Sequence, residues 1–266
     1  MTMGIPPRMT AYERAKRQQV EGWTNSSTRR NTKFLYSVDE RKLTGDGFAL
    51  TLTIRDCPSS SDDWKSLRES FFFRLRRMGL IRAHWLTEWQ RRGVPHLHCA
   101  LWMDGCSDPH YTQEIIILHW LELAGSYGAG MRGQQAKPIT DSVGWFQYLS
   151  KHAVRGLNHY QRSADSIPAG WKKTGRMWGK LGQWDTVEPV RYLLDNPGFW
   201  AFRRIVQRWR VSTARGDVSR LKAARRMLQG NDRATCSVRG CSEWIDQDMT
   251  AQVIAHLAAQ GYPISC

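Results

Sequence analysis

In the stretch EWQRRGVPHLHCALW, Glu88 to Trp102, histidine takes two alternate positions, His96 and His98, in a run otherwise built of Leu, Cys, Ala and Trp. A strand sends successive side chains to opposite faces, so both imidazoles project together, about 7 Å apart, while Leu97, Cys99 and Leu101 form a core row. Two neutral imidazoles can converge on one cation. Glu88 stands eight residues before His96; if QRRGVP is a hairpin turn, it falls opposite His96 or Leu97. Two histidines and a carboxylate leave coordination positions open, a donor set suited to Mg2+ or Mn2+ when phosphate oxygens complete the shell. The HxH pattern by itself also fits two structural histidines without a metal.

A second group lies in DSVGWFQYLSKHAVRG, Asp141 to Gly156. At 100° per residue, Phe146, Leu149 and Ala153 share one side of a helix, and Tyr148, Lys151, His152 and Arg155 share the other. A phenol is a poor nucleophile at neutral pH, but a nearby ammonium and a metal-bound phosphate both favour the phenolate and its attack on phosphorus. The plainer reading is a tyrosine packed at a sheet edge, with Lys151 and Arg155 as a solvated face.

These groups must be carried by elements, and the flanking patterns supply them. GFALTLTIR alternates Phe48, Leu50, Leu52 and Ile54 against Ala49, Thr51, Thr53 and Arg55, which predicts a half-buried strand. SSSDDWKSLRESFFFRLRRMG has a Ser/Asp cap, apolar residues at Trp64, Leu67, Phe71 and Leu75, and a terminal glycine, the marks of an amphipathic helix. LIRAHWLTEW and HLHCALWMDG then read as a hairpin with a loop of four to six residues. DPHYTQEIIILHWLELAGSYG reads as a second helix, GQQAKPI as a short strand, and Asp141 opens a third helix. Strand, helix, hairpin, helix, strand, helix is the order of an α+β domain, a central antiparallel sheet flanked by helices. Past Gly182 the patterns become helical, in WAFRRIVQRWRVS, DVSRLKAARRMLQG and WIDQDMTAQVIAHLAAQG. The expected organisation is a basic N-terminal arm over 1–33 with room for one short helix, a catalytic domain over 34–183, and a helical C-terminal region over 184–266 for DNA binding or oligomerisation.

Composition narrows the partner. The 39 Lys and Arg against 24 Asp and Glu give a net charge of +15, which favours a polyanion, most commonly nucleic acid. Residues 1–33 are the most densely basic, with seven Lys/Arg and two Glu. Six cysteines without a CxxC pair argue against a zinc finger or disulfide framework. No apolar run approaches a membrane span and no signal peptide opens the chain, so a cytoplasmic protein, with no membrane partner, is expected. A GxxxxGK[ST] loop is absent, which excludes an intrinsic helicase of that type. WKKTGRMWGKLGQW, Trp171 to Trp184, mixes Lys172, Lys173, Arg176 and Lys180 with three tryptophans. It is equally a groove that stacks single-stranded bases and a glycine-rich turn that packs its rings back on the domain.

The succession FALTLT, EWQRRGVPHLHCALW and YLSK resembles the three motifs of HUH endonucleases. The EWQRRGVPHLH wording is most similar to the rolling-circle replication initiators of filamentous phages and small plasmids, over roughly residues 45–183. The resemblance implies that His96, His98 and Glu88 bind a divalent ion that polarises a DNA phosphate. It implies that Tyr148 attacks that phosphate, leaving a 5′-phosphotyrosine link and a free 3′-OH for a host polymerase, with Lys151 assisting the phosphate charge. It further implies single-stranded or hairpin origin DNA as substrate, a host helicase as partner, and a bacterial host's cytoplasm as location. Where some members carry a second tyrosine one turn on, this chain has His152, so it resembles a single-tyrosine enzyme unless Tyr160 substitutes. His152 is then free to handle protons or, with Arg155, Lys172, Lys173, Arg176 and Lys180, to contact DNA. Two other readings remain open: a non-catalytic module binding single-stranded nucleic acid, and the same chemistry in a relaxase or transposase.

Overall fold

The computed structural model describes residues 20–105, 108–140, 145, 148, 152, 157, 159–188, 190–214, 216–218, 221, 222, 225 and 249–266, and the backbone of 2, 3, 241, 242, 247 and 248. The chain divides into two compact units, residues 13–187, and residues 188–266 together with 1–12.

The first unit runs α1 (Asn25–Ser37), β1 (Asp46–Thr53), α2 (Ser61–Arg77), β2 (Leu80–Trp89), β3 (Pro95–Met103), α3 (Pro109–Ala124), β4 (Gln135–Ile139) and β5 (Trp178–Leu181). The strands form one sheet in the order β4-β1-β3-β2-β5, every neighbouring pair antiparallel, and the fold is α+β. Strand alternation divides the sheet into two faces. On one, Phe48, Leu50 and Leu52 of β1 stand beside Leu101, Cys99 and Leu97 of β3, which stand beside Ala83, Trp85 and Thr87 of β2. Trp64, Leu67, Phe71 and Leu75 of α2 and Ile116 and Trp120 of α3 complete this core.

Local chemistry explains the elements. Ser60 caps α2 by accepting from the Asp63 N–H, and the Asp63 carboxylate accepts in turn from the Ser60 N–H, a reciprocal capping box. Arg74, Arg76 and Arg77 sit in its last turn, where the helix dipole favours cations. Pro109 opens α3 behind the Asp108 cap. Five residues, 90–94, join β2 to β3; Gln90 N–H donates to Val94 O at 2.8 Å, and Gly93 takes the left-handed conformation this loop requires, φ +72°. The loop fixes the register and sets Glu88 directly opposite His96.

The other face is buried along its centre and partly open at Ala49, Thr51 and Thr53. All nine residues of β3 are buried, polar ones included. Gly47, Ala49, Thr51 and Thr53 of β1, His84, Leu86 and Glu88 of β2, and His96, His98, Ala100 and Trp102 of β3 share this face. α1 covers part of it. Thr24 caps that helix, Asn31, Phe34 and Leu35 are buried, and the Trp23 indole donates to Thr87 O at 2.9 Å. Residues 20–33, expected within a basic arm, therefore begin the domain; most of 1–19 lies outside the described residues. Of the helix expected from Asp141, the described residues Trp145, Tyr148 and His152 are helical and buried against the same face.

The Trp171–Trp184 segment contains β5, a strand where a groove or loop was expected as one alternative. Gly179 permits the pairing, since a Cβ there would meet the Trp85 ring at 2.7 Å. Its tryptophans pack inward: Trp171 is buried against Trp89 and donates to Pro58 O, and Trp184 contacts Trp102 and Trp145. The packing alternative holds for these rings.

In the second unit, α4 (Asn196–Thr213) and α5 (Gln247–Ala259) pack through Phe199, Phe202, Val206, Ile254 and Leu257. Leu193–Leu194 pairs with Ile264–Ser265. Among the described residues no helix is long and apolar enough to cross a membrane.

Candidate active site

A buried polar face must satisfy its groups internally. At one end, His96, His98 and Glu88 converge: their donor atoms lie within 4.8 Å of one another, and among the described residues this is the single group suited to a metal ion. His98 Nε2 is 3.1 Å from His96 Nε2 and 3.4 Å from Glu88 Oε2. The far nitrogen of His98, Nδ1, lies 3.0 Å from Thr51 Oγ1. If Nδ1–H donates there, Nε2 keeps its lone pair for the cluster. The Gln161 amide lies 3.3 Å from His96 Nε2 and donates to it, so that nitrogen carries its single lone pair, which Gln161 takes here and would yield to a bound cation. Two imidazole lone pairs and a carboxylate oxygen facing one another form an electron-rich cluster that a cation completes. The residues present therefore fit a divalent ion.

Glu88 is fully buried yet not isolated. Arg162 Nε donates to Oε1 at 3.0 Å, and the same guanidinium donates to His152 O at 2.6 Å and lies 4.1 Å from the Trp23 ring centroid. A carboxylate at this depth requires such a partner to stay ionised. His152 fills the space between the cluster and the nucleophile candidate, its ring centroid 4.6 Å from His98 and 4.7 Å from Tyr148.

Tyr148 lies further along the same face. Trp145 stacks on its ring at 5.8 Å, and its hydroxyl is 2.9 Å from His84 Nδ1. Burial pushes the phenol well above its ordinary value, the neighbouring Cys99 and Glu88 push the same way, and a hydrogen bond from the Ala100 backbone and the Arg162 charge oppose them. Left alone, the phenol stays protonated. Lys151, expected to lower it, and Arg155 lie outside the described residues.

The remaining expected contacts are dispersed. Lys172 and Arg176 are exposed, Lys173 pairs with Asp62 at 2.8 Å, and Lys180 sits over the Phe34 ring at 4.6 Å. Tyr160 is exposed, stacked on His159 with Arg91 over its ring. Beside the His96 end of β1, a cavity of about 360 Å3 is lined by Thr53, Arg55, Arg92 and Arg132. Sequence reasoning missed Asn31, His84, Gln161 and Arg162. His84 had a usable signal, since it shares strand parity with Glu88; Gln161 and Arg162 had none.

Comparison with known proteins gives a consistent picture. Residues 47–153 match the family of the replication-associated protein ORF2. The chain is 50% identical over 252 residues to the replication-associated protein of Pseudomonas phage Pf3, covering 94% of this chain and 90% of that protein. It is 46% identical over 271 residues to a putative replication protein of Xylella fastidiosa strain 9a5c, covering 98% and 95%. A second putative replication protein, from Xylella fastidiosa strain Temecula1, is 49% identical over 250 residues, covering 91% and 94%. No solved structure matches the chain.

Proposed function

Since the chain belongs to the ORF2 family of replication-associated proteins, we propose that it initiates rolling-circle replication by nicking and rejoining single-stranded or hairpin origin DNA through a tyrosine-linked intermediate. The observation that carries this reading is the placement of Glu88, His96, His98 and Tyr148 on one buried face of one sheet, with His152 between cluster and phenol. Glu88, His96 and His98 would hold a divalent ion, Mg2+ or Mn2+, which would supply Lewis-acid polarisation of the scissile phosphate.

The protein's own groups do the rest. Thr51 orients the His98 imidazole through its far nitrogen, and Arg162 pairs with Glu88. Tyr148 Oη attacks phosphorus, the P–O3′ bond breaks, and the 5′ side stays on the tyrosine. Lys151, Arg155, Lys172, Lys173, Arg176 and Lys180 would contact phosphates, and the arginine-lined cavity beside Thr53 suits the flanking backbone. A host helicase and polymerase would act on the opened strand and the free 3′-OH.

The test is a denaturing gel with a library of single-stranded oligonucleotides, comparing the native chain with Tyr148→Phe, in Mn2+ or EDTA. An SDS-resistant, metal-dependent adduct that disappears in the variant, with DNA binding retained, is expected. An adduct that persists in Tyr148→Phe removes this tyrosine from the role. Binding with no adduct from the native chain favours a non-catalytic single-strand binding module.

A further inference from the structure

The proposed nucleophile is a buried phenol, and the attack needs its proton taken away. His84 is the group in place to take it. Its ring is wholly buried, with Phe34 stacked at 5.6 Å and Trp178 at 6.0 Å, so its orientation is fixed by packing. Nε2 lies 2.8 Å from Asn31 Oδ1, a carbonyl oxygen that can only accept. Nε2 therefore carries the ring hydrogen, and Nδ1, 2.9 Å from Tyr148 Oη, presents its lone pair to the phenolic O–H. Burial, and then the charges of His152 and Arg162, hold His84 well below its ordinary value, which keeps the ring neutral and ready to accept.

We propose that His84 is a catalytic residue, the general base for Tyr148, with Asn31 as the positioning residue that selects its tautomer. This rests on the nicking reading above. In the step, the Tyr148 O–H proton passes to His84 Nδ1 as Oη bonds to phosphorus; the P–O3′ bond breaks, and the leaving 3′-oxygen takes a proton from solvent water. The imidazolium donates its Nε2–H to Asn31 throughout. In the joining direction a 3′-OH attacks the phosphotyrosine and gives its proton to solvent water, and His84 returns its own proton to the departing phenolate. His152, the alternative proton carrier from sequence, instead packs between His98 and Tyr148 with its carbonyl tied to Arg162.

The test measures single-turnover adduct formation on the nicked oligonucleotide for the native chain, His84→Ala, His84→Gln and Tyr148→Phe, with DNA affinity and thermal midpoint followed in each. Glutamine can accept the phenolic hydrogen bond but cannot carry the proton away. Both His84 variants are expected to slow adduct formation by roughly 10²–10⁴-fold, the usual contribution of general acid–base catalysis, with DNA affinity unchanged. A His84→Gln chain that reacts at the native rate would show that the residue only positions the phenol, and a His84→Ala chain at the native rate would show that it does neither; both overturn the proposal while leaving Tyr148 as nucleophile. If Tyr148→Phe still forms the adduct, the nicking reading itself fails and His84 loses its role with it.

Discussion

Glu88 and Arg162 are both buried completely or nearly so, and their 3.0 Å contact spans 74 residues of sequence. Breaking a buried ion pair from one side strands the other charge, at about 3–5 kcal/mol. Arg162→Ala is therefore expected to lower unfolding free energy by that amount in urea titration, and Glu88→Gln added to it should recover part of the loss. A double variant no better than Arg162→Ala would mean the guanidinium acts mainly through Trp23 and His152 O. At this scale legibility follows pattern. His96 and His98 were readable because a strand has period two, and Tyr148 with His152 because a helix places i and i+4 together. Gln161 and Arg162 reach the cluster from a turn with no periodicity, so nothing in their neighbourhood marks them. His84 was readable in principle, but one histidine on a strand gives no spacing to interpret.

At the level of elements, the strongest signals were those with punctuation. α2 has its cap, apolar stripe and basic last turn all in sequence, and the hairpin has its glycine in the loop. Ser60→Ala removes the cap acceptor and is expected to cost about 1 kcal/mol, a shift of a few degrees in thermal midpoint, with DNA nicking unchanged. An unchanged midpoint would mean that the Asp63 interactions with Ser59 and the Ser60 backbone suffice. β5 was obscured for a physical reason: a four-residue edge strand built on Gly179 has too few apolar side chains to alternate, and its pairing is decided by how closely its backbone can approach Trp85. The covering of the second sheet face by α1 was hidden too, because the polar Asn31 that α1 buries is matched only by a histidine 53 residues away.

For the whole molecule, the buried neutral His84 ties stability to pH. Its proton affinity is depressed in the folded state by burial and by the charges of His152 and Arg162, so the unfolded chain takes up a proton that the folded chain refuses. Its stabilising contribution is complete above about pH 6.5, the ordinary histidine value, and is lost as pH falls toward its lower folded value, at up to about 1.4 kcal/mol per pH unit. Urea titrations of the native chain and His84→Gln at pH 7.5 and pH 5 are expected to show the native advantage shrinking by roughly 1–2 kcal/mol at the lower pH. A pH-independent difference would assign the acid sensitivity to other groups. The hairpin has a different consequence for the molecule as it is made. Its three cluster donors lie within eleven consecutive residues, 88–98, whereas Tyr148, Gln161 and Arg162 follow 50 or more residues later. On a ribosome the hairpin with the Glu88, His96 and His98 cluster emerges first and Tyr148 arrives later. A site that needs both groups is therefore complete only after long-range closure of the chain.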